Sequence, residues 1–338
     1  MKQFKKAFLV LVMIFLLTGC TEYLKTEDKK NVINPTTGQN LTKNILCKPT
    51  DEETIKIYEE NGIDLDKLPA CFCEKETYTK GEYTNGEYTE SEYNCDAFKL
   101  TSGGYEGLWT SVFVKPLAWI IIFVGKYVNN FGLGLIITSI LIRLVAYPLT
   151  NKAAMQSELL KKAQPELDRL EKKYEKKDLN DREVMMMKSQ EMMAIYKKYN
   201  INPLSGCLFS FIQLPLFIAF LEAINRVPAL FEEKLFGFHL GTSPKIGIQN
   251  GNYWYIILII LIGLSTYLSF KLNSGASAAS ANDEMKKNTD MMMNMFLVMI
   301  VIMSVFMSSA IGIYWITSNL FTIVQNLIVK RSNRNEKV

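Results

Sequence analysis

MMMNMFLVMIVIMSVFMSSAIGIYWITSNLFTIVQNLIV, residues 291–329, is a run of 39 residues between Asp290 and Lys330 without one charged side chain. As a helix it would extend about 58 Å, close to two hydrocarbon cores of roughly 30 Å each. It therefore reads as two membrane spans, 290–307 and 311–329, broken near Ser308, Ser309 and Gly312. Tyr253 to Phe270 and Pro203 to Leu221 add charge-free runs of 18 and 19 residues. The 338-residue chain is 49% hydrophobic, yet its mean hydropathy is only +0.06, so the apolar residues are concentrated in these runs. A single soluble globule is excluded. Histidine-based catalysis is disfavoured as well, because the one histidine, His239, lies in a polar connection between two apolar segments.

The net charge of +4 hides a division. Residues 21–106 carry 10 Lys and 18 Asp/Glu, a balance of −8, whereas residues 107–338 carry 25 Lys/Arg and 16 Asp/Glu, a balance of +9. The two parts are expected on opposite sides of a membrane, with the basic excess inside. That explanation leaves no need for direct, sequence-specific nucleic acid binding. Leu108 to Gly125 is apolar but holds Lys115 and Pro116, leaving ten clean residues, Pro116 to Gly125, which suit an interfacial helix over 107–130. Were it a span, residues 152–200 with their 12 Lys/Arg would be exported. The expected fold is an all-α integral membrane protein with five spans, 131–151, 203–224, 253–271, 290–307 and 311–329. A cytoplasmic helical hairpin (152–202), an outer loop (225–252) and a cytoplasmic loop (272–289) join them, and a basic cytoplasmic tail (330–338) ends the chain.

The N-terminus has the form of an export signal, 1–19, with Lys2, Lys5 and Lys6 before the apolar run Ala7 to Leu17. Leu17-Thr18-Gly19-Cys20 resembles a bacterial lipoprotein box, which implies cleavage before Cys20 and a lipoprotein anchored there by palmitate-type acyl chains. The mature extracytoplasmic segment is then 20–106. Cys207 lies in an apolar run, so Cys47, Cys71, Cys73 and Cys95 remain for two disulfides, with three connectivities open. Cys71-Phe72-Cys73 lacks the spacing of common zinc motifs, and no metal or other cofactor is expected. Tyr78, Tyr83, Tyr88 and Tyr93 recur at five-residue steps in a charged, glycine-containing repeat, which reads as a solvated, weakly structured or hairpin-rich module.

Within 152–202, Met155, Leu159, Ala163, Leu167, Leu170 and Tyr174 have helical spacing. The turn is expected near Asp178 to Asp181, with Asn180 or Asp181 capping the second arm. That arm carries Met185, Met186, Met187, Met192 and Met193, whose flexible thioethers suit either core filling or a surface accepting varied apolar sequences.

Arg143 is the one charge in the first span, about 18 Å from its outer end and about 10 Å from its inner end. A guanidinium cannot escape by deprotonation, so water or an acceptor must reach it. Ser139 and Tyr147 share its face. On the fifth span Gly312, Trp315, Ser318 or Asn319, Thr322 and Asn326 recur at three- and four-residue steps, flanked by Tyr314 and Gln325; the second span adds Ser210 and Gln213.

These residues resemble the YidC/Oxa/Alb membrane protein insertases, in the lipoprotein form of Gram-positive and related bacteria. The likeness runs from about Trp109 to Lys330 and rests on four ordered motifs. They are Arg143-Leu-Val-Ala-Tyr-Pro-Leu-Thr150; Gln164-Pro-Glu-Leu167; Tyr196-Lys-Lys-Tyr-Asn-Ile-Asn-Pro-Leu-Ser-Gly-Cys207 followed by Ile212-Gln-Leu-Pro215; and Gly312-Ile-Tyr-Trp-Ile-Thr-Ser-Asn319 with Gln325. Phe209 stands where the family often has proline. The resemblance implies five helices around a hydrophilic groove, open to cytoplasm and lipid, with Arg143, Ser139, Gln213, Tyr314, Trp315 and Asn319 as groove residues. It implies nascent membrane proteins and the lipid bilayer as partners, with the ribosome, a targeting receptor and the general secretion channel as further ones. It implies no enzyme and no nucleotide hydrolysis. The cysteine and tyrosine-repeat region takes no function from it.

Two other classes compete. A transporter for a small anionic solute could use Arg143, but no paired repeats or broken helices in matching halves are visible. An intramembrane hydrolase needs a nucleophile with a base or two membrane carboxylates, and Glu222 is the only carboxylate near a span.

Overall fold

The computed structural model describes residues 21–74, 77–84, 87–175, 177, 181–202, 205–273 and 283–335. The signal peptide, Cys20, the hairpin tip at 178–180, residues 274–282 of the 272–289 loop and the last three residues lie outside the described residues, as do the side chains of Cys207, Phe209 and Ser210. The chain forms two compact units: Met1–Thr138 with Leu216–Ile256 and Phe306–Tyr314, and Ser139–Pro215 with Ile257–Val305 and Trp315–Val338.

The first unit begins with the acidic segment. Helix α1 (Glu52–Glu60) starts at Asp51, whose carboxylate accepts from Thr54 N at 2.9 Å, and glutamates fill its first turn, where the helix dipole favours them. Tyr58 from this helix joins Leu24, Leu41, Ile45 and Leu65 in a small apolar core. Disulfides join Cys47 to Cys71 and Cys73 to Cys95. The tyrosine repeat forms an antiparallel hairpin, β1 (Thr77–Thr84) and β2 (Glu87–Asn94), pairing Tyr78 with Tyr93 and Tyr83 with Tyr88. With a five-residue step on both strands, this register sets tyrosine opposite tyrosine. The segment also bonds to a distant part of the chain: Leu46 N donates to Arg226 O at 2.9 Å, Thr42 Oγ1 to Asn225 O at 2.9 Å, and Ser243 N to Thr37 O at 3.0 Å.

A π-helical turn, Thr110–Val114, leads into α2 (Lys115–Tyr127). Together, Thr110–Tyr127 supplies 18 residues of mean hydropathy 1.3, long and apolar enough to cross a membrane by length and composition. The expectation of only ten usable residues is corrected here. Lys115 is buried, donating from Nζ to the carbonyls of Ser102 (2.7 Å) and Gly104 (2.6 Å) and pairing with Glu106 at 3.3 Å. Pro116 sits in the first turn of α2, where its missing N–H is not needed. Neither residue interrupts the helix. Asn129, with φ of 54°, makes the turn into α3 (Phe131–Tyr174). The two helices then pack backbone to backbone: a Cβ on Gly134 would lie 2.6 Å from Gly125 N.

The unit is completed by the Leu216–Asn225 part of helix α5 (Ser205–Asn225), a loop and a helix start. The loop holds α6 (Pro228–Glu232), β3 (Lys234–Leu235), β4 (Phe238–His239) and α7 (Pro244–Gln249). His239 is thus a strand residue. Two carbonyls of this loop satisfy the start of the last helix, since Ser309 N donates to Thr242 O at 3.1 Å and Ala310 N to Leu240 O at 3.0 Å. The 39-residue run is interrupted there, at 305–308.

The second unit holds the rest of α3, α4 (Arg182–Lys198), the start of α5 (Ser205–Asn225), most of α8 (Trp254–Asn273), α9 (Asp283–Ser304) and most of α10 (Ser309–Asn335). Helix α3 is continuous over 44 residues, with Pro148 and Pro165 inside it, so the first span and the first hairpin arm are one helix rather than two elements meeting at 152. Asp181 caps α4 by accepting from Glu183 N at 2.9 Å. The arms meet through Leu160, Ala163, Leu167, Tyr196 and Ile201. This shifts the expected stripe by one residue at its start: Leu160 is buried, Leu159 is only partly covered and Met155 is exposed.

Phe131–Tyr174, Trp254–Leu272 and Ser309–Ser332 are also long and apolar enough to cross a membrane, and Gln213–Asn225 and Met291–Ser304 are shorter apolar helices. The chain is an all-α integral membrane protein.

Candidate functional site

Arg143 projects from α3 in the second unit and is 4% exposed. Its Nη1 donates to Thr322 Oγ1 of α10 at 3.4 Å, and that hydroxyl donates onward to Ser318 O at 3.0 Å. Ser139, one turn earlier on α3, is buried too. Two turns after Arg143, the Gln325 amide of α10 donates to Thr150 Oγ1 at 2.9 Å. Thr150 in turn donates to carbonyls of its own preceding turn, those of Ala146 and Tyr147, each at 3.2 Å. The membrane-depth parts of this unit, 139–150, 203–215, 257–270, 291–305 and 315–329, contain no Asp or Glu. The guanidinium thus meets a hydroxyl dipole, on apolar segments that bring no negative charge of their own.

The polar stripe on α10 divides between two neighbours. Trp315 Nε1 and Asn319 Nδ2 both donate to Thr266 Oγ1 of α8, at 2.9 and 3.0 Å, and Asn319 also reaches Ser265 Oγ at 3.3 Å. Thr266 donates to Ile262 O at 2.7 Å, so its one proton and both lone pairs are engaged. Trp315 and Asn319, expected beside Arg143, are therefore held on α8, whereas Thr322 and Gln325 face α3. Gln213 is half-buried on α5 in the same unit. Tyr314 belongs to the first unit, where its ring stacks on Phe220 at 4.6 Å and lies 6.2 Å from Phe217. Ser318 Oγ is buried without a partner among the described residues.

Thr266 and Ser265 escaped the reading of the sequence. Their signal was available: Ser265, Thr266 and Ser269 are hydroxyls on adjoining positions of an aliphatic helix, and all three are buried. Also missed was a charged cluster in the first unit. Arg226, 1% exposed, lies 3.5 Å from Glu222, pairs with Glu106 and donates from Nε to Asn44 O at 2.5 Å. Trp109 Nε1 donates to Glu222 at 3.0 Å.

On the hairpin, exposed ion pairs run between the arms. Lys198 and, second to it, the Tyr199 hydroxyl hold Glu166 below the ordinary carboxylate range, and Lys173 with Tyr174 does the same for Glu191. Met185, Met186, Met187 and Met193 are exposed, and Met192 packs against the core between the arms. Four of the five methionines are thus on the surface and do not fill gaps.

The family model described as 60Kd inner membrane protein matches residues 123–337, which include Arg143, the hairpin and all of the α10 stripe. The chain belongs to the 60Kd inner membrane protein family. Membrane protein insertase YidC of Oceanobacillus iheyensis is 34% identical over 228 residues, covering 67% of this chain and 85% of that protein. Membrane protein insertase YidC of Alkalihalophilus pseudofirmus is 36% identical over 224 residues, 65% and 81% of the two chains. Membrane protein insertase MisCA of Bacillus subtilis is 34% identical over 223 residues, 66% and 79%. The matched region begins within α2, so the disulfide-bonded segment and Lys115 precede the part shared with the family model.

Proposed function

We propose that this membrane protein insertase moves short polar segments of nascent membrane proteins across the bilayer beside Arg143, and releases the client's apolar helix sideways into lipid. The observation that carries the reading is a permanent charge in the apolar part of α3, met by the hydroxyl of Thr322, where the apolar segments of the unit hold no carboxylate. An unpaired polar group costs several kcal/mol in hydrocarbon. Hydroxyls and amides such as Ser139, Ser318 and Asn319 would hydrate or pair it, and a cation in low dielectric attracts acidic client residues. Gln213, Trp315 and Tyr314 contribute hydration and client contact in the same reading. No nucleotide is needed. The exposed methionines of α4 suit first contact with apolar client segments, and the charges around them suit a ribosome, targeting receptor or secretion channel.

We further infer that Cys20 carries the lipid outside, and that the hairpin, the 272–289 loop and the C-terminus are cytoplasmic. Thr110–Tyr127 then lies in the outer interface despite its span-like length, because crossing would export the 12 Lys/Arg of 152–200. Accessibility tags after residue 100 and near His239 should react in intact cells, and tags at Asp178, near Ala279 and after Val338 should not. Reaction at Asp178 would overturn this orientation.

The mechanistic test compares one client in acidic and neutralised forms, inserted by wild-type and Arg143→Ala proteins at matched abundance. Loss confined to the acidic client supports charge attraction. Equal loss for both assigns Arg143 to hydration of the path, and equal insertion of the acidic client by both proteins removes it from the mechanism.

A further inference from the structure

The C-terminal turn of α8 and the facing turns of α10 border a cavity of about 680 Å³ in the second unit. One side is apolar, formed by Leu268 and Leu272 of α8 with Ile323 and Leu327 of α10. The other carries Lys161, Lys271 and Lys330 against a single carboxylate among the described residues, Glu158. Lys161 donates to Glu158 at 2.8 Å and to the carbonyl of Leu272, one of the carbonyls a helix end leaves without an internal partner. That lysine is both an anchor for α3 on α8 and part of a locally cationic wall.

Depth is set by the sequence. Lys271 stands in the last turn of α8, directly after the charge-free run ending at Phe270, and Lys330 is the residue that ends the 39-residue run. Lys271 and Lys330 therefore mark the level where hydrocarbon gives way to water, with Leu268, Ile323 and Leu327 on the hydrocarbon side. A free phosphate would use the lysines and leave the apolar side unmatched. An acidic peptide would meet the same mismatch, because its backbone cannot be left unpaired against leucine and isoleucine. A molecule with an anionic phosphate next to acyl chains matches both sides.

We propose that this cavity is a binding site for an anionic phospholipid, its phosphate between Lys271 and Lys330 and its acyl chains along Leu268, Ile323 and Leu327. The site goes beyond the insertase reading and does not involve Arg143. A bound lipid here would fasten α8 to α10 at the water boundary by joining two cationic helix ends through one anion.

The test uses the full-length protein in nanodiscs containing a photoactivatable phosphatidylglycerol or, separately, its phosphatidylcholine counterpart, with labelled peptides mapped. The expected result is phosphatidylglycerol labelling of peptides containing Leu268–Leu272 and Ile323–Lys330, well above phosphatidylcholine. Each lysine at an anionic surface is worth roughly fivefold in affinity, so Lys271→Gln with Lys330→Gln should reduce labelling roughly 25-fold, and the double arginine variant should restore it. Both side chains are exposed, so the variants should fold. Equal labelling by the two lipids, or undiminished labelling of the double glutamine variant, would overturn the site. Competition by inorganic phosphate would reassign it to free phosphate, and competition by an acidic client segment at equal concentration would reassign it to clients. Insertion assays on the same variants are read separately, so failure of the lipid site leaves the insertase reading untouched.

Discussion

Two arginines, one in each compact unit, are buried almost equally, and their surroundings differ in kind. Arg226 meets two carboxylates, Glu106 and Glu222, and a backbone carbonyl, while Lys115 is tied to the same Glu106. Arg143 meets the hydroxyl of Thr322 on helices that carry no acid at its depth. Charge matched by charge holds elements together, and in the first unit it joins the acidic segment to the ends of α2 and α5. Charge set among neutral dipoles leaves a field that an incoming acidic group can use. The same side chain is structural in one setting and, in the function proposed above, acts on clients in the other.

The comparison is most easily broken at Arg226. Arg226→Ala strands the buried Glu222, leaves Glu106 to Lys115 alone and should cost about 3–5 kcal/mol, as removal of one partner from a buried ion pair does. The measurement is thermal unfolding and abundance of the purified protein. A change under about 1 kcal/mol would mean that the cluster is hydrated and that the contrast with Arg143 fails. Next in size, replacing Cys47, Cys71, Cys73 and Cys95 by serine should cost about 2–4 kcal/mol per bridge, felt in the first unit. Protease cleavage within 21–106 reports it. Insertion should persist, because the hydroxyl and amide network around Arg143 lies in the other unit.

Arg143→Ala is expected to reverse this pattern. Its stability cost should stay near 1–2 kcal/mol, the scale of a lost hydrogen bond to a charged group, while insertion of an acidic client falls roughly tenfold. Arg143→Lys should retain part of the activity, since attraction needs charge more than a planar fork. A large loss of folded protein on Arg143→Ala would place this arginine with Arg226. Thr266→Val keeps shape but removes the acceptor for Trp315 and Asn319, so about 1–2 kcal/mol and a graded, several-fold loss of insertion are expected. An unchanged melting temperature would show that the α8 contact is incidental.

The smallest effect is a pH dependence in the first unit. Burial, then the nearby Lys234, pushes His239 below its ordinary 6.5. A depressed histidine pKa means the unfolded chain binds the proton first, so stability should be full above about 6.5 and decline as pH falls toward the folded value. His239→Gln should flatten that decline. A profile unchanged by the substitution would remove His239 as its source.

The membrane class, the division of charge and the family motifs were all legible in the sequence. Length and charge along the chain are one-dimensional quantities, and hydrocarbon imposes them residue by residue. The polar stripe on α10 was legible as a stripe, but which neighbour each member faces was not. Trp315 and Asn319 turn toward Thr266 while Thr322 and Gln325 turn toward α3, because adjoining faces of one helix contact different helices. Lys115 misled for a related reason. Counted along the chain it interrupts an apolar run, whereas in the folded unit Glu106 and two carbonyls neutralise and satisfy it.

The sequence by itself determined that several segments of this chain are suited to hydrocarbon and that one of them carries a permanent charge, since both follow from transfer free energies summed along a helix. Only the tertiary structure decided the pairing of the four cysteines, the attachment of the acidic segment to the 225–243 loop, and the partners of the two arginines. Those outcomes depend on distances between residues up to about 180 positions apart, which local composition does not encode.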